Sequence, residues 1–203
     1  MLIKPALWLH TQSYLLCTGL APKVHGGVHP KHEIMRYREF FLSRIRPGDT
    51  VLDVGCSTGI MTEVLAGKAG KITAIELVPW KVEEAKRLRS RPNIEYITGD
   101  AVTYVFKDKF DVAVVSNVLE HIENRVEMLR KIKSLAARML VRVPMIDRDW
   151  ITVYKKRMNV DYRLDSTHRI EYTLEEFKNE VKEAELMIEE HTIQFGELWA
   201  SLK

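Results

Sequence analysis

The sequence predicts an α/β fold, in which a mainly parallel β-sheet is covered by helices on both faces. Three observations predict it. Short, continuously apolar segments recur through the middle of the chain, amphipathic segments of helical length separate them, and the first apolar segment ends in a glycine-containing turn. Strands buried on both faces of a sheet are apolar throughout, and their alternation with helices is typical of a parallel sheet.

The predicted elements follow in chain order from residue 29. Apolar residues near helical spacing in HPKHEIMRYREFFLSRI predict an amphipathic helix that leads into the sheet. Five strands are predicted next, in TVLDVG, KITAIE, NIEYITG, FDVAVVS and RMLVRVP. Helices are predicted after the glycine turn, in VPWKVEEAKRLRS, which Pro79 opens, and in ENRVEMLRKIKSLA. Thr173 and Glu176 have the spacing of a capping box, which predicts a last helix in LEEFKNEVKEAE, followed by closing strands.

A single domain is expected over residues 1–203, because a chain of this length fits one hydrophobic core. The sequence pattern divides that domain into an N-terminal helical extension over 1–47, a core over 48–144, an excursion from the sheet over 145–172, and a closing helix with strands over 173–203.

Composition and charge exclude several classes of protein. A hydrophobic share of 46% is that of a globular protein, and a formal net charge of +3 falls well short of a dedicated nucleic-acid binder. Cys17 and Cys56 cannot form a disulfide framework or a zinc site by themselves, so a cytoplasmic location is the default expectation. Pro5 and polar residues interrupt the apolar segment ALWLHTQSYLLCTGLA, so no transmembrane helix, signal peptide or membrane partner is expected.

The turn in VLDVGCSTG is a candidate binding loop. Gly55 and Gly59 allow the backbone to approach a ligand closely. A dinucleotide fingerprint needs glycines at relative positions 1, 3 and 6, which hold Gly55, Ser57 and Ile60 here. A pyrophosphate-binding turn is therefore disfavoured, and the lysine of a P-loop is also missing.

Three acidic residues end three successive predicted strands. Asp53 would repel phosphates but suits a ligand with an ammonium or sulfonium charge. Glu76 follows Gly55 at the distance from which an acid accepts hydrogen bonds from ribose hydroxyls, and Asp100 has a carboxylate that can accept from an adenine amino group. Adenine, ribose and a cationic amino-acid tail together describe S-adenosylmethionine.

With these residues the sequence resembles the class I, seven-strand S-adenosylmethionine-dependent methyltransferases, particularly their type 11 small-molecule group. The resemblance runs from about His29 to the C-terminus and rests on VLDVGCSTG, ITAIEL, GDA, FDVAVVSNVLEHI and DSTHRIEYTLEEF. It implies a doubly wound sheet of seven strands and a lid over the acceptor, formed by residues 145–172, which we term the lid segment. The cofactor-binding residues that it implies are Asp53, Gly55, Cys56, Ser57, Gly59, Glu76, Leu77, Asp100, Ala101 and Asn117. Ser57 departs from the family, which usually has a glycine there.

Two histidines are candidate catalytic residues. His168, in the lid segment, is a candidate because histidine is the side chain suited to proton transfer near neutral pH, although it could instead hold the lid in place. His121 and Glu120 could act as acid or base, form structural hydrogen bonds, or bind a metal with a third group. Similar quinone-biosynthesis methyltransferases have Glu in place of Asn117 and use a divalent ion there. Because Asn117 removes a carboxylate, no metal is predicted.

Acceptor contacts are predicted for His29, His32, Trp150, Tyr154 and Tyr162, although capping, exposure or core packing would explain the same residues. The preferred function is methyl transfer to a small molecule or metabolite. Two alternatives stay open: a nucleic-acid or protein methyltransferase, because VYKKRMNVDYR is basic and aromatic, and a non-catalytic scaffold that binds the cofactor. The sequence leaves the acceptor and the oligomeric state open.

Overall fold

The structure is a computed structural model that describes residues 3–203. Its centre is a seven-stranded sheet in the order β3-β2-β1-β4-β5-β7-β6. Strands β1 to β5 pair in parallel, whereas β7 pairs antiparallel with both β5 and β6. The strands are β1 (Thr50–Val54), β2 (Lys71–Glu76), β3 (Ile94–Thr98), β4 (Phe110–Ser116), β5 (Ala136–Pro144), β6 (Ile188–Gln194) and β7 (Glu197–Leu202).

Eight α-helices are found within residues 3–203. They are α1 (Ile3–Val24), α2 (Lys31–Ile34), α3 (Tyr37–Arg44), α4 (Ile60–Ala66), α5 (Pro79–Arg89), α6 (Arg125–Leu135), α7 (Trp150–Arg157) and α8 (Leu174–Glu183). The predicted fold class is confirmed: a doubly wound, mainly parallel seven-strand sheet with an N-terminal helical extension and a lid-like insertion before the last helix. None of the helices described is both long and apolar enough to cross a membrane.

The helix predicted in HPKHEIMRYREFFLSRI is interrupted. Arg36 has a left-handed backbone, with φ +53°, and separates α2 from α3. The break turns Tyr37 and Phe41 into the core, where both are buried. Tertiary packing therefore overrides the continuous helix that the spacing predicts. The capping box is confirmed, because the Thr173 hydroxyl oxygen accepts from Glu176 N at 3.2 Å and a Glu176 carboxylate oxygen accepts from Thr173 N at 2.8 Å.

The sheet separates two hydrophobic cores. On one face α6 and α8 pack with residues such as Leu129 and Phe177, and on the other α3 and α4 pack with Phe41 and Leu65. The chain runs outward from β1 to β3 and then crosses back to β4, so strand order reverses between β1 and β4. Ligands bind at the carboxyl ends of the strands beside such a reversal. The candidate site therefore lies where β1 and β4 end.

Candidate functional site

The turn after β1 is shaped by glycines that tolerate no side chain. Gly55 has φ +68° and Gly59 has φ +80°, backbone conformations that favour glycine. A Cβ on Gly55 would lie 2.6 Å from a methyl group of Val118, and a Cβ on Gly59 would lie 2.6 Å from the Tyr96 hydroxyl. The turn is thus packed closely against the segment after β4 and against β3.

Ser57 lies between these two glycines and, like them, has a left-handed backbone conformation. Its φ is +50°, which strains a residue that has a Cβ. The backbone N–H of Ser57 donates a hydrogen bond to Glu76 Oε2 at 3.0 Å. A serine is therefore accommodated where the family usually has glycine, and the residue at the end of β2 holds it.

Glu76 ends β2 and is nearly buried. Besides Ser57, it orients one further amide, since Val78 N donates to Oε1 at 3.0 Å. Each carboxylate oxygen has two lone pairs, so both oxygens keep the capacity to accept another hydrogen bond. This is the arrangement that two neighbouring hydroxyl groups of a ribose require.

Asp53 is buried at the end of β1 and its Oδ2 accepts a hydrogen bond from the Thr62 hydroxyl at 2.6 Å. Burial raises the pKa of Asp53 to about 7, against the effect of the Thr62 hydrogen bond and with a smaller contribution from Glu76. A bound cation would favour the ionised carboxylate. Burial also raises the pKa of the Cys56 thiol, so this cysteine is a small neutral side chain in the turn and not an activated nucleophile.

Asp100 follows β3 and is exposed, while its Oδ1 accepts from Val102 N at 2.8 Å. Leu77, which follows Glu76, is also exposed, and Ala101 is half-buried. All three residues follow the carboxyl ends of β2 and β3, on the same edge of the sheet as the turn. An adenine placed along this edge would find an apolar side chain and a carboxylate.

Asn117 follows β4 in a left-handed conformation, with φ +54°. Its N–H donates to the Arg142 carbonyl at 2.8 Å, which ties the end of β4 to β5. Its side-chain oxygen is buried and has no hydrogen-bond partner among residues 3–203. A buried acceptor without a partner is costly, which makes this atom a candidate ligand contact.

Glu120 lies fully buried in the short 3₁₀ turn Leu119–His121 that follows β4. Neither of its carboxylate oxygens has a partner in the described part of the chain. Burial raises the pKa of Glu120 to about 8, opposed by the positive charge of Arg142. The side chain is therefore largely protonated at neutral pH. The backbone carbonyl of Glu120 accepts a hydrogen bond from Arg169 N at 2.7 Å, which attaches the lid segment to the sheet edge.

The two predicted catalytic histidines lie together. The rings of His121 and His168 have centroids 4.8 Å apart. His168 Nδ1 lies 3.2 Å from Glu171 Oε1, and His121 Nδ1 lies 3.0 Å from the Thr167 hydroxyl. Both Nδ1 atoms are thus engaged, which leaves the Nε2 atoms for another partner. Burial, together with His168, lowers the pKa of His121.

Glu171 is a further residue of this cluster that the sequence reasoning missed. Its buried carboxylate accepts from Leu164 N at 2.5 Å and pairs with Arg148, in addition to its contact with His168. The three-residue spacing in HRIE is the signal that could have found it. One atom each of Glu120, His121 and His168 lies within 4.8 Å of the others, a spacing that also suits a metal ion. The absence of a metal stays a prediction from the sequence.

The histidines predicted on the acceptor side form a second cluster. A hydrogen bond of 2.5 Å joins His32 Nδ1 to the Tyr37 hydroxyl, and the rings of His29 and His32 lie 6.3 Å apart. Burial, with Arg38 and Lys31, lowers the pKa of His32 to about 4, so it is neutral. The Nε2 atom of His29 is buried with no partner among residues 3–203.

An unforeseen ion pair lies beside these histidines. The Arg142 guanidinium stacks 3.8 Å from the centre of the Tyr37 ring and donates to both carboxylate oxygens of Glu197, at 2.5 and 2.7 Å. Arg142 and Glu197 are both buried. The charged residue within the apolar strand RMLVRVP is the only sequence signal for it. A buried bidentate pair of this kind holds β5 and β7 in register near the candidate site.

The aromatic residues of the lid segment that were predicted to contact the acceptor lie apart from both histidine clusters. Trp150 is largely exposed on α7, and its ring lies 6.2 Å from that of Tyr154. The Tyr162 carbonyl accepts from Arg148 at 2.6 Å, and Lys156 lies above the Tyr162 ring. Among residues 3–203, no ring contact joins these aromatics to either histidine cluster. Their role as acceptor contacts stays a prediction.

Comparison with known proteins identifies related sequences and folds. A family model described as a methyltransferase domain matches residues 28–191. Nodulation protein S of Bradyrhizobium diazoefficiens is 31% identical over 108 residues, 52% of each chain. A ubiquinone biosynthesis O-methyltransferase of Pseudomonas fluorescens is 34% identical over 87 residues, 41% of this chain and 38% of that one. The chain therefore spans about half the length, or less, of the curated relatives it matches.

A solved structure shares the fold. The N-methyltransferase NodS from Bradyrhizobium japonicum, in complex with S-adenosyl-L-homocysteine, aligns with a TM-score of 0.62. The alignment covers 85% of both chains at 16% sequence identity. Likeness at this identity establishes a common fold.

Proposed function

The chain belongs to the family of methyltransferase domains, and we propose that it transfers a methyl group from S-adenosylmethionine to a small-molecule acceptor by in-line displacement. Family membership confirms the predicted resemblance to class I methyltransferases and, with it, the predicted cofactor. The observation that carries the proposed activity is the set of three acids, Asp53, Glu76 and Asp100, at the carboxyl ends of three adjacent strands around a left-handed turn.

Each acid would hold a different part of the cofactor. Asp53 would lie toward the positive charge of the methionine part, and that charge would favour the ionised carboxylate despite its burial. Glu76, oriented by two amides, would accept from the ribose hydroxyls, and Asp100 would accept from the adenine amino group. Gly55 and Gly59 give the turn its left-handed backbone and let it pack against Val118 and Tyr96, which fixes the shape of the loop that the cofactor would meet. The cofactor supplies a methyl group that its sulfonium charge has already activated.

The protein's contribution is mainly alignment and the exclusion of water. His168 is held by Glu171, and its ring packs against that of His121. We assign this pair as the general base: it takes the proton when the nucleophile of the methylated molecule must lose one. Glu120, protonated at neutral pH, supplies a buried hydrogen-bond donor beside the pair.

The acceptor enters, in this proposal, between the lid segment and the helices before β1. The unpaired atoms of His29 and Asn117 would contact its polar groups. His32, Trp150 and Tyr154 are further proposed contacts. Tyr162 completes the predicted contacts. Val118 and Leu119 follow Asn117 where methyltransferases of exocyclic base amines have two prolines, which supports a small molecule over a nucleic acid. The related proteins include both an O-methyltransferase and an N-methyltransferase, so the atom methylated is not part of the proposal.

A cytoplasmic location is proposed with this activity. Both cysteines are free, Cys17 exposed and Cys56 buried, as a reducing compartment permits.

Calorimetry with S-adenosylhomocysteine tests the proposal. We expect micromolar binding to the wild type and at least about ten-fold weaker binding to Glu76→Ala and to Asp100→Ala, because each loses a charge-assisted hydrogen bond. Glu95→Ala, an exposed acid within β3, is the matched control and should bind as the wild type does. Failure of the wild type to bind would overturn the proposal.

A further inference from the structure

The N-terminal helix α1 presents an apolar face that nothing in the described chain covers. Leu7 is the only residue of this 22-residue helix that is buried. Its exposed large apolar side chains are Ile3, Trp8, Leu9, Tyr14, Leu15, Leu16, Leu20 and Val24. Leu9, Leu16 and Leu20 are spaced by seven and four residues, and Trp8 and Leu15 by seven, so they form two adjacent stripes along the helix. These stripes point away from Leu7.

The opposite face of α1 rests on the lid segment. Lys155 Nζ donates to His10 Nδ1 at 2.9 Å and to the Thr11 hydroxyl at 2.8 Å. The Thr11 hydroxyl also donates to the Asp161 carbonyl at 3.4 Å. These polar contacts fix which side of α1 faces the protein, so the two apolar stripes are the outward side.

The charged side chains of α1 and of the turn that follows it all have one sign. Residues 3–32 contain no Asp or Glu, whereas Lys4 and Lys23 lie near the two ends of the helix and Lys31 follows it. The contact through Lys155 places the last turn of α7 beside α1, and its Lys156 and Arg157 are exposed. The basic stretch VYKKR, which the cofactor site does not use, thus extends the positive charge around the apolar face.

We propose that α1 docks on an anionic membrane surface, lying in the headgroup region with its two apolar stripes toward the acyl chains. Interfacial helices expose Trp and Leu on one side and carry Lys outside that side, and α1 has both features, with Lys4 and Lys23 near its ends and no acidic residue. Lys and Arg near an anionic leaflet add attraction through lipid phosphates. This departs from the expectation, based on the sequence, that the chain has no membrane partner. It does not depend on the proposed methyl transfer.

A second copy of the chain fits this surface less well. Packing α1 against another α1 would bring Lys4, Lys23 and the α7 cations of both copies together, with no acidic residue in 3–32 to pair with them. Anionic lipid supplies the missing counter-charge.

Co-sedimentation of the full chain with vesicles tests the proposal. We expect binding to vesicles of phosphatidylcholine mixed with phosphatidylglycerol, weaker binding to phosphatidylcholine alone, and weakening by salt. Leu16→Glu, on the outward stripe, should reduce binding at least about ten-fold, since it places a charge at the acyl boundary. Lys4→Glu with Lys23→Glu should reduce binding to the anionic vesicles only.

Leu88→Glu is the matched control, because Leu88 is a similarly exposed leucine on α5, outside the apolar face of α1. It should bind vesicles as the wild type does. Each variant should bind S-adenosylhomocysteine as strongly, or as weakly, as the wild type does. This control separates a loss of membrane docking from a loss of folding or of the cofactor site. The proposal is overturned if the wild type does not sediment with anionic vesicles, or if Leu16→Glu sediments equally well. A dimer that Leu16→Glu dissociates, without vesicle binding, would also overturn it.

Discussion

Replacing Ser57 by glycine should stabilise the protein. Ser57 has φ +50°, in the left-handed region, where a Cβ crowds the following carbonyl oxygen at a cost of roughly 1–2 kcal/mol. Its hydroxyl takes part in none of the hydrogen bonds found among residues 3–203, so removing it breaks no side-chain contact of that kind. The backbone hydrogen bond to Glu76 does not need the side chain.

The size of the effect follows from two opposing contributions. Relief of strain favours the folded state, whereas the greater freedom of glycine in the unfolded chain opposes it by about 0.4–1 kcal/mol. The net expectation is a gain of about 0 to 1.6 kcal/mol in the free energy of unfolding. At about 2–4 °C per kcal/mol for a chain of this size, Tm should rise by up to about 6 °C.

Urea denaturation of the wild type, Ser57→Gly and Ser57→Ala measures this gain. Alanine also lacks the hydroxyl but keeps the Cβ, so Ser57→Ala should leave the midpoint almost unchanged. An equal gain for alanine and glycine would show that the hydroxyl, and not the backbone, is responsible. A lower midpoint for Ser57→Gly would refute the strain argument altogether.

Two further predictions concern buried groups of the site. Because burial raises the pKa of Glu120 from 4.5 to about 8, the folded state keeps a proton that the unfolded state has lost, and its contribution to stability falls as pH rises through that range. As pH rises from 5 to about 8, the free energy of unfolding should therefore fall less for Glu120→Gln, which cannot ionise, than for the wild type. Denaturation curves with the same pH dependence for both proteins would contradict this. Gly59→Ala should weaken S-adenosylhomocysteine binding and stability, because its Cβ meets the Tyr96 hydroxyl and its φ is +80°. Adding Tyr96→Phe removes the shortest contact but leaves the Ala85 Cβ at 3.1 Å and the backbone strain, so calorimetry and denaturation should show partial rescue; full rescue would exclude the backbone contribution.

Much of the candidate site could be predicted from the sequence because its residues stand at strand ends. An apolar run marks a buried strand, and the residue that ends it, such as Asp53 or Glu76, is found without knowing any tertiary contact. The parallel arrangement then brings these ends to one edge of the sheet. The same reasoning found His121 after β4, and the capping box located the start of α8.

Reasoning from the sequence did not predict three features: the break at Arg36, the role of the Glu171 carboxylate and the ion pair of Arg142. The helical spacing around Arg36 is continuous, and only the burial of Tyr37 and Phe41 shows why the helix turns there. Arg142 meets Glu197 across 55 residues of sequence, and no local pattern relates the two.

The sequence by itself determined the order of the elements, the sheet edge at which the site lies and the acids that surround it, because these follow from local periodicity and from the geometry common to parallel sheets. Only the tertiary structure decided the left-handed backbone of Ser57 and Asn117, the meeting of His121 with His168, and the outward apolar face of α1. Each of these depends on segments distant along the chain that pack together, and burial and close contact are properties of that packing, which no short window of sequence contains.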